Sequence, residues 1–516
     1  MVVIVAVATS VIVANSADSD PYSFSNMGIS AVTDASGRIS VSAFRQMDTG
    51  SETQRGTRLV VVLLPVFLHM VTGLPLELIH FLPVTGVLLP IVGYVLVNRL
   101  LRSRVYGAFF GLCVALSPNI TRTYNMNTAG YGFLFLLLTV FISVMQVKPT
   151  RRNWFLFITF YLMTILSYYT YEFYAFVYVA VFLLLSRIPR FRRGGHTKHV
   201  IGVGTVLIFL TMTYLIDPLL QIVLEWSGGT FGGNTLNAFA NFWSTIAALI
   251  ERESVPTYSG VSLSREAFLV DLVSSVLIVV PVVYYVLSSV IRKARSGGEI
   301  FYVFHSLLVG AAATTLAYAL SLRYITTSFL YSTGPLLSIV GLDVWFTRKR
   351  LIKGAFMTAI LVSLVASFAV ISITERTSNS LSHEFAMDKE YIWVGSHSKN
   401  ARILTSVEES TRLVFATARS GTYKNLAIRV YDDQPTKVSF LYLGGSDRLE
   451  VMKLHYRFVS QNPVMDFILV NRMNLNERIE GNSWVLLPPL ATLSPVYNTP
   501  GVNVVFDGGD LILLGV

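Results

Sequence analysis

The chain has 516 residues, 53% of them hydrophobic and 14% charged, with a mean hydropathy of +0.58. A soluble domain carries roughly 25% charged residues, so this composition excludes an ordinary soluble enzyme and specifies a polytopic membrane protein. The formal net charge of +10 does not point to nucleic acid, because the basic residues gather in short loops between apolar segments.

Five clusters carry that charge: Arg99/Arg102/Arg104, Lys148/Arg151/Arg152, Arg187/Arg190/Arg192/Arg193/Lys198, Arg292/Lys293/Arg295 and Arg348/Lys349/Arg350/Lys353. Basic loops stay on the cytoplasmic side. A crossing needs ~20 apolar residues.

In chain order, the first apolar segment is Met1–Asn15. It has no preceding Lys or Arg and is short for a crossing, consistent with a truncated start. Read as a signal peptide it would end at Ala14-Asn15-Ser16-Ala17, but it lacks the charged leading region. An outer loop, 16–78, follows, with Asp18 and Asp20 near its start. It also holds an apolar stretch, Leu59–Leu74. A crossing there would put the Arg99 cluster on the wrong side, so this stretch is expected to be an interfacial or re-entrant helix.

The further spans are Ile79–Asn98, Val105–Pro118, Ala129–Val147, Trp154–Leu166, Tyr171–Leu185, Val200–Leu219, Phe268–Ile291, Phe301–Leu320, Thr326–Phe346 and Ala355–Ile373. With about eleven transmembrane helices every basic cluster falls on one side, the N-terminus is cytoplasmic and the C-terminus is outside. A second outer stretch, Gln221–Glu266, is rich in Gly and aromatic residues. The single cysteine, Cys113, rules out an intrachain disulfide and a Cys-rich metal site.

At Thr374 the composition shifts to that of a soluble α/β domain, which gives two units, 1–373 and 374–516. Ala401–Ser406, Leu426–Tyr431, Lys437–Leu443, Asp466–Val470 and Trp484–Leu487 read as strands. Ser406-Val407-Glu408-Glu409 reads as a capping box opening a helix to about Ala418, with Gly421 as a stop. Val504–Phe506 and Leu511–Leu514, around Asp507-Gly508-Gly509-Asp510, form a hairpin signal.

Several stretches resemble the C-type glycosyltransferase (GT-C) superfamily, which includes protein O-mannosyltransferases and lipid A aminoarabinose transferases. They are the acidic pair after the first span, and Val114-Ala115-Leu116-Ser117-Pro118 leading to Arg122. Ser167-Tyr168-Tyr169-Thr170-Tyr171-Glu172 is similar to the outer hairpin after that group's fifth span, and Leu322-Arg323-Tyr324 to its late Arg-Tyr step. The tail hairpin, Val505-Phe506-Asp507-Gly508-Gly509, is similar to the ends of archaeal members. There is no Trp-Trp-Asp signature, which disfavours the oligosaccharyltransferase branch, and a tyrosine (168 or 169) stands where the hairpin commonly has His.

The resemblance implies a GT-C-like helical membrane domain with a C-terminal extracytoplasmic α/β domain. It also implies sugar transfer from a polyprenyl-phosphate-linked donor to a glycan, lipid or protein acceptor at the outer face. Such transfer needs a base for the acceptor hydroxyl, or a carboxylate holding a divalent cation (Mg or Mn) on the phosphate. Asp20 is the first candidate for either role and Asp18 the second; the plain alternative is a solvated loop. Arg323 suits the donor phosphate, because guanidinium binds phosphate oxygens bidentately; a snorkelling cation is its alternative. Arg122 is a weaker second cation. Glu172 and Tyr169 are candidate substrate contacts near the outer surface, Glu172 ordering an acceptor or a metal.

Asp271, Asp343 and His305 read as structural. The chain has no phosphate-cradling Gly loop, no Gly-x-Ser-x-Gly and no His-Glu-x-x-His. Competing functions are a polysaccharide polymerase or ligase, and a transporter or flippase for a lipid-linked glycan. A transporter would bring inverted repeats and charges near the membrane midplane, and the sequence shows neither clearly.

Overall fold

A computed structural model describes residues 1–16, 30–31, 33–34, 59–76, 79, 82, 84–117, 128–145, 151–167, 169–187, 254–256, 262–292, 299–322, 333–345, 350–374, 381–398, 401–405, 413, 416–417, 427–430, 466–471, 503–508 and 511–515. In this part the chain is mostly helical. Up to residue 374 the described helices are α1 (Val2–Ser16), α2 (Leu59–Thr72), α3 (Val84–Leu101), α4 (Arg104–Leu116), α5 (Thr128–Met145), α6 (Arg151–Ile165), α7 (Tyr169–Arg187), α8 (Arg265–Arg292), α9 (Glu299–Leu322), α10 (Gly334–Trp345) and α11 (Arg350–Thr374). A helix coincides with each predicted span except Val200–Leu219, which lies outside the described residues. The third helix starts at Val84 rather than Ile79, directly after Pro83, whose ring suits a helix start better than an interior.

By length and composition alone, Val84–Leu101 and Arg350–Val370 are the two described segments that suffice to cross a membrane. A further sign of lipid lies on α8. Val273, Val276, Val280, Val283 and Leu287 are all exposed, and their spacing of three and four residues sets them on one helical stripe. Fourteen residues of helix make that stripe about 21 Å long. Apolar surface of that extent is costly in water and costs nothing against acyl chains.

Inside the bundle, rings and small residues fit together. Tyr131, Tyr161, Tyr174 and Tyr178 are fully buried. A side chain at Gly310 on α9 would strike the Tyr174 ring, and one at Gly341 on α10 would strike the Pro281 carbonyl on α8. Glycine at these two positions is what lets the helices approach. His305 packs against Tyr285 and Phe304 with centroid distances of 5.8 Å each, the packing role expected of it.

In the tail, α12 (Leu381–His397) precedes a five-stranded sheet of order β4-β3-β5-β7-β6. Its strands are β3 (Arg402–Thr405), β4 (Ala427–Val430), β5 (Phe467–Asn471), β6 (Asn503–Asp507) and β7 (Leu511–Gly515). Two short strands, β1 (Ser254–Pro256) and β2 (Ser262–Ser264), pair separately before α8. β3 runs parallel to β4 and β5, while β7 runs antiparallel to β5 and β6. The predicted terminal hairpin forms, with a bulge between Val504 and Phe506. The strand candidates at Lys437–Leu443 and Trp484–Leu487 lie outside the described residues.

Asp466 fastens β5 to β3. Its Oδ2 accepts from Arg402 N (2.8 Å) and Nε (3.1 Å), and its Oδ1 accepts from Nη2 (3.3 Å). The Arg402 side chain beside it holds the Asp466 carboxyl below the usual carboxylate range. The pair is roughly a third exposed, so solvent limits its contribution to about 1 kcal/mol or less.

Candidate functional site

The two ends of the bundle are chemically different. At one end Tyr106, near the start of α4, donates its hydroxyl to Asp343 Oδ1 (2.7 Å). Lys353 Nζ donates to Tyr106 Oη (2.9 Å) and to Asp343. This cluster joins the start of α4, the end of α10 and the start of α11. Arg99, Arg102, Arg104 and Arg350 are exposed nearby in sequence. Two of the basic clusters therefore share an end, and Asp343 has the structural role expected of it.

The opposite end follows from helix direction. Tyr174 Oη lies 2.9 Å from Leu307 O and 3.0 Å from Thr333 Oγ1, so the start of α7 meets the start of α10. Phe133 stacks on Tyr171 with centroids 5.7 Å apart, which adds the start of α5. Tyr285 on α8 meets Phe304 near the start of α9 edge-on at 4.6 Å. Because α8 packs Pro281 on Gly341 near the end of α10, the start of α9 belongs with the basic end and Leu322 with the other. The C-terminus of α4, capped at Ser117, also belongs to this second end.

Of the predicted site residues, Asp18, Asp20, Arg122 and Arg323 lie outside the described residues, although the helices leading to Arg122 and Arg323 end on this side. Tyr169 is the first residue of α7, and its side chain lies outside the described residues. Glu172 is described, in the first turn of α7, and it differs from expectation. Its side chain is 0% exposed rather than near the surface. Neither carboxylate oxygen has a hydrogen-bond partner among the described residues. Close by, α7 packs on α9 at the Gly310–Tyr174 contact, beyond which α9 continues for twelve residues to Leu322, a rise of about 18 Å.

Two tyrosines further along α7 are engaged elsewhere. The Tyr174 hydroxyl is engaged with Leu307 and Thr333, and that of Tyr178 with Ser143 at 2.6 Å. At 100° per residue both point to a different side of α7 from Glu172. A buried carboxylate without donors costs several kcal/mol, and ionisable groups inside membrane domains are retained mainly for function.

Residues between α1 and α3 reach the same end. Val60 N at the start of α2 donates to Leu166 O (3.1 Å) in the turn between α6 and α7. Ser30 donates its hydroxyl to Val62 O (3.1 Å). His69 Nδ1 lies 2.6 Å from Leu74 O, and its Nε2 lies 3.7 Å from Asp34 Oδ2. The helix α2 buries Val61, Val62, Pro65 and Val66 while leaving Phe67, Met70 and Val71 exposed. Asp34 and His69 received no role from the sequence; the available signal was His69, the one titratable residue in Leu59–Thr72.

Among the described residues no group of three or more His, Cys, Asp or Glu side chains is placed to hold a metal ion. The residues expected to hold a divalent cation lie outside the described residues. A site for it would rest on Asp18 and Asp20.

No protein-family model and no curated protein matches this chain. Among solved structures, arabinofuranosyltransferase AftD from Mycobacteria aligns with 99% of this chain at a TM-score of 0.51 and 13% identity. The fold is similar to the part of AftD that it matches. The chain spans 41% of the length of AftD, so the likeness concerns architecture alone. ArnT from Cupriavidus metallidurans, in the form bound to undecaprenyl phosphate, aligns over the whole chain and 97% of its own at a TM-score of 0.44 and 12% identity. Its apo form gives a TM-score of 0.42. At that overlap the ArnT matches add no argument.

Proposed function

We propose that the protein is an integral membrane glycosyltransferase. It moves a sugar from a polyprenyl-phosphate-linked donor to an acceptor at the outer face. The observation that supports this best is Glu172, a buried carboxylate without a described partner, at the bundle end opposite the basic cluster of a GT-C-like fold. In this reading Asp20, with Asp18 beside it, takes the acceptor proton or holds a divalent cation. Arg323, assisted by Arg122, holds the donor phosphate, and Tyr169 and Glu172 contact substrate. The direct test is purified protein in liposomes with radiolabelled polyprenyl-phosphoryl sugars and candidate acceptors. Sugar appearing on an acceptor, with polyprenyl phosphate released, supports the reading. Donor moving across the bilayer without cleavage would make the protein a flippase.

The proposal includes about eleven crossings, a cytoplasmic N-terminus and an external 374–516 domain. Cys113 is the chain's one cysteine and is buried. In a Cys113→Ala background, Ser420→Cys is expected to react with an impermeant maleimide in intact cells. Labelling only after lysis would invert the topology and move the site to the cytoplasmic face.

A further inference from the structure

We propose that the turn between α3 and α4, together with the first turn of α11, binds the headgroup of an anionic phospholipid in the leaflet at the basic end of the bundle. This site stands apart from the sugar-transfer reading and from the question of which membrane face the end occupies. Charge is unbalanced there. The helices α3, α4, α10 and α11 and the α3–α4 turn contain Arg99, Arg102, Arg104, Arg350 and Lys353 against one carboxylate, Asp343. Asp343 Oδ1 already accepts from Tyr106 and Lys353. The four arginines are exposed, and among the described residues none of their side chains forms an ion pair or a hydrogen bond. A charged patch of one sign without internal partners attracts an anion.

The backbone singles out Arg102. It follows Leu101, the end of α3, and its φ is +51°. Glycine or asparagine takes that conformation at lower cost, and Arg102 is the one non-glycine residue with a positive φ among the described residues. An unfavourable backbone state occupied by an exposed arginine points to a side chain kept for what it binds. Exposed apolar side chains then select a lipid over a soluble anion. Val105 is 68% exposed and Leu351 89%, and each directly follows an exposed arginine, Arg104 and Arg350. Lys353 Nζ lies 2.9 Å from Tyr106 Oη, which sets the first turns of α4 and α11 side by side. A ligand with a phosphate head and acyl chains satisfies both kinds of surface, because guanidinium groups take phosphate oxygens in pairs and basic side chains at a membrane surface attract anionic lipid.

Native mass spectrometry of the full chain in detergent tests this, with phosphatidylglycerol and phosphatidylcholine of the same acyl chains as probes. Wild type is expected to retain phosphatidylglycerol in preference to phosphatidylcholine. Arg102→Gly and Arg104→Gln are each expected to weaken phosphatidylglycerol about 5-fold, the scale for one basic side chain near a membrane surface, with phosphatidylcholine unchanged. Arg152→Gln removes an exposed arginine of another basic cluster, at the start of α6, and is expected to leave retention unchanged. Arg102→Gly also relieves the backbone, so it is expected to raise Tm in lipid-free detergent while it loses lipid. Should Arg102→Gly fail to fold, Arg104→Gln reads the same loss from a helical position. Equal retention of the two lipids by wild type, a loss as large in Arg152→Gln, or unchanged retention in Arg104→Gln overturns the proposal and leaves the cluster a signal of topology alone. Displacement of bound phosphatidylglycerol by an equal concentration of inorganic phosphate overturns it too, since the acyl chains would then contribute nothing.

Discussion

Replacing Asp20 with Asn is expected to lower sugar transfer by about 10²-fold or more, with folded yield unchanged. Asp20 follows Ser16, the last residue of the first helix, by four positions in sequence. The amide preserves size but can neither take a proton nor neutralise a cation. A loop carboxylate contributes little to folding, so a loss of activity at constant yield isolates chemistry. Two outcomes separate the possible roles. As a base, Asp20 gives wild type a rate that falls as pH drops through its own titration, and Asn removes that limb. As a metal ligand, it makes the wild-type rate sensitive to chelator and restored by Mg or Mn. Near-normal activity in the Asn variant would pass the role to Asp18 and leave Asp20 a solvated loop residue.

The membrane unit was largely legible because its signals are local. Apolar runs between basic clusters mark helices. In the tail, alternation and the Asp507–Asp510 turn marked the hairpin and three of its partner strands. What stayed illegible depends on contacts between distant residues. The α12 helix, Leu381–His397, has a polar surface without a strong stripe. It is secured by Leu511 N donating to Glu390 Oε2 (2.8 Å) and by Trp393 stacked between Phe506 (4.1 Å) and His397 (4.2 Å).

Glu172 shows the same limit within the site. Its position at the start of an apolar run suggests a surface location. Its burial arises from the packing of α7 among the other helices, which the local sequence does not reveal. The pairing of Asp343 with Tyr106 and Lys353 likewise joins residues from helices far apart in sequence. The candidate chemistry could be named residue by residue, but depth and isolation required the packed helices.

Arg323→Ala is expected to reduce donor use by about 10²-fold or more, and Arg323→Lys by a smaller factor, about 10-fold. The ninth helix ends at Leu322, and consecutive Cα atoms are about 3.8 Å apart. Arg323 is the next residue in sequence after Leu322, which ends α9 on the side opposite the Tyr106–Asp343–Lys353 cluster. That position admits a second explanation, since a cation at a helix C-terminus is favourable by about 0.3–1 kcal/mol, and a long side chain there can snorkel to the interface. Lysine satisfies both of those roles as well as arginine does. It cannot reproduce the planar fork that holds two phosphate oxygens at once. The discriminating comparison is thus wild type against Lys, with Ala setting the floor, in a transfer assay normalised to folded protein. A graded loss, wild type above Lys above Ala, assigns the guanidinium to the donor phosphate. Equal specific activity in wild type and Lys, with Ala lowering only the folded yield, would make Arg323 an anchor of α9 and leave the carboxylates at this end to act without a phosphate partner.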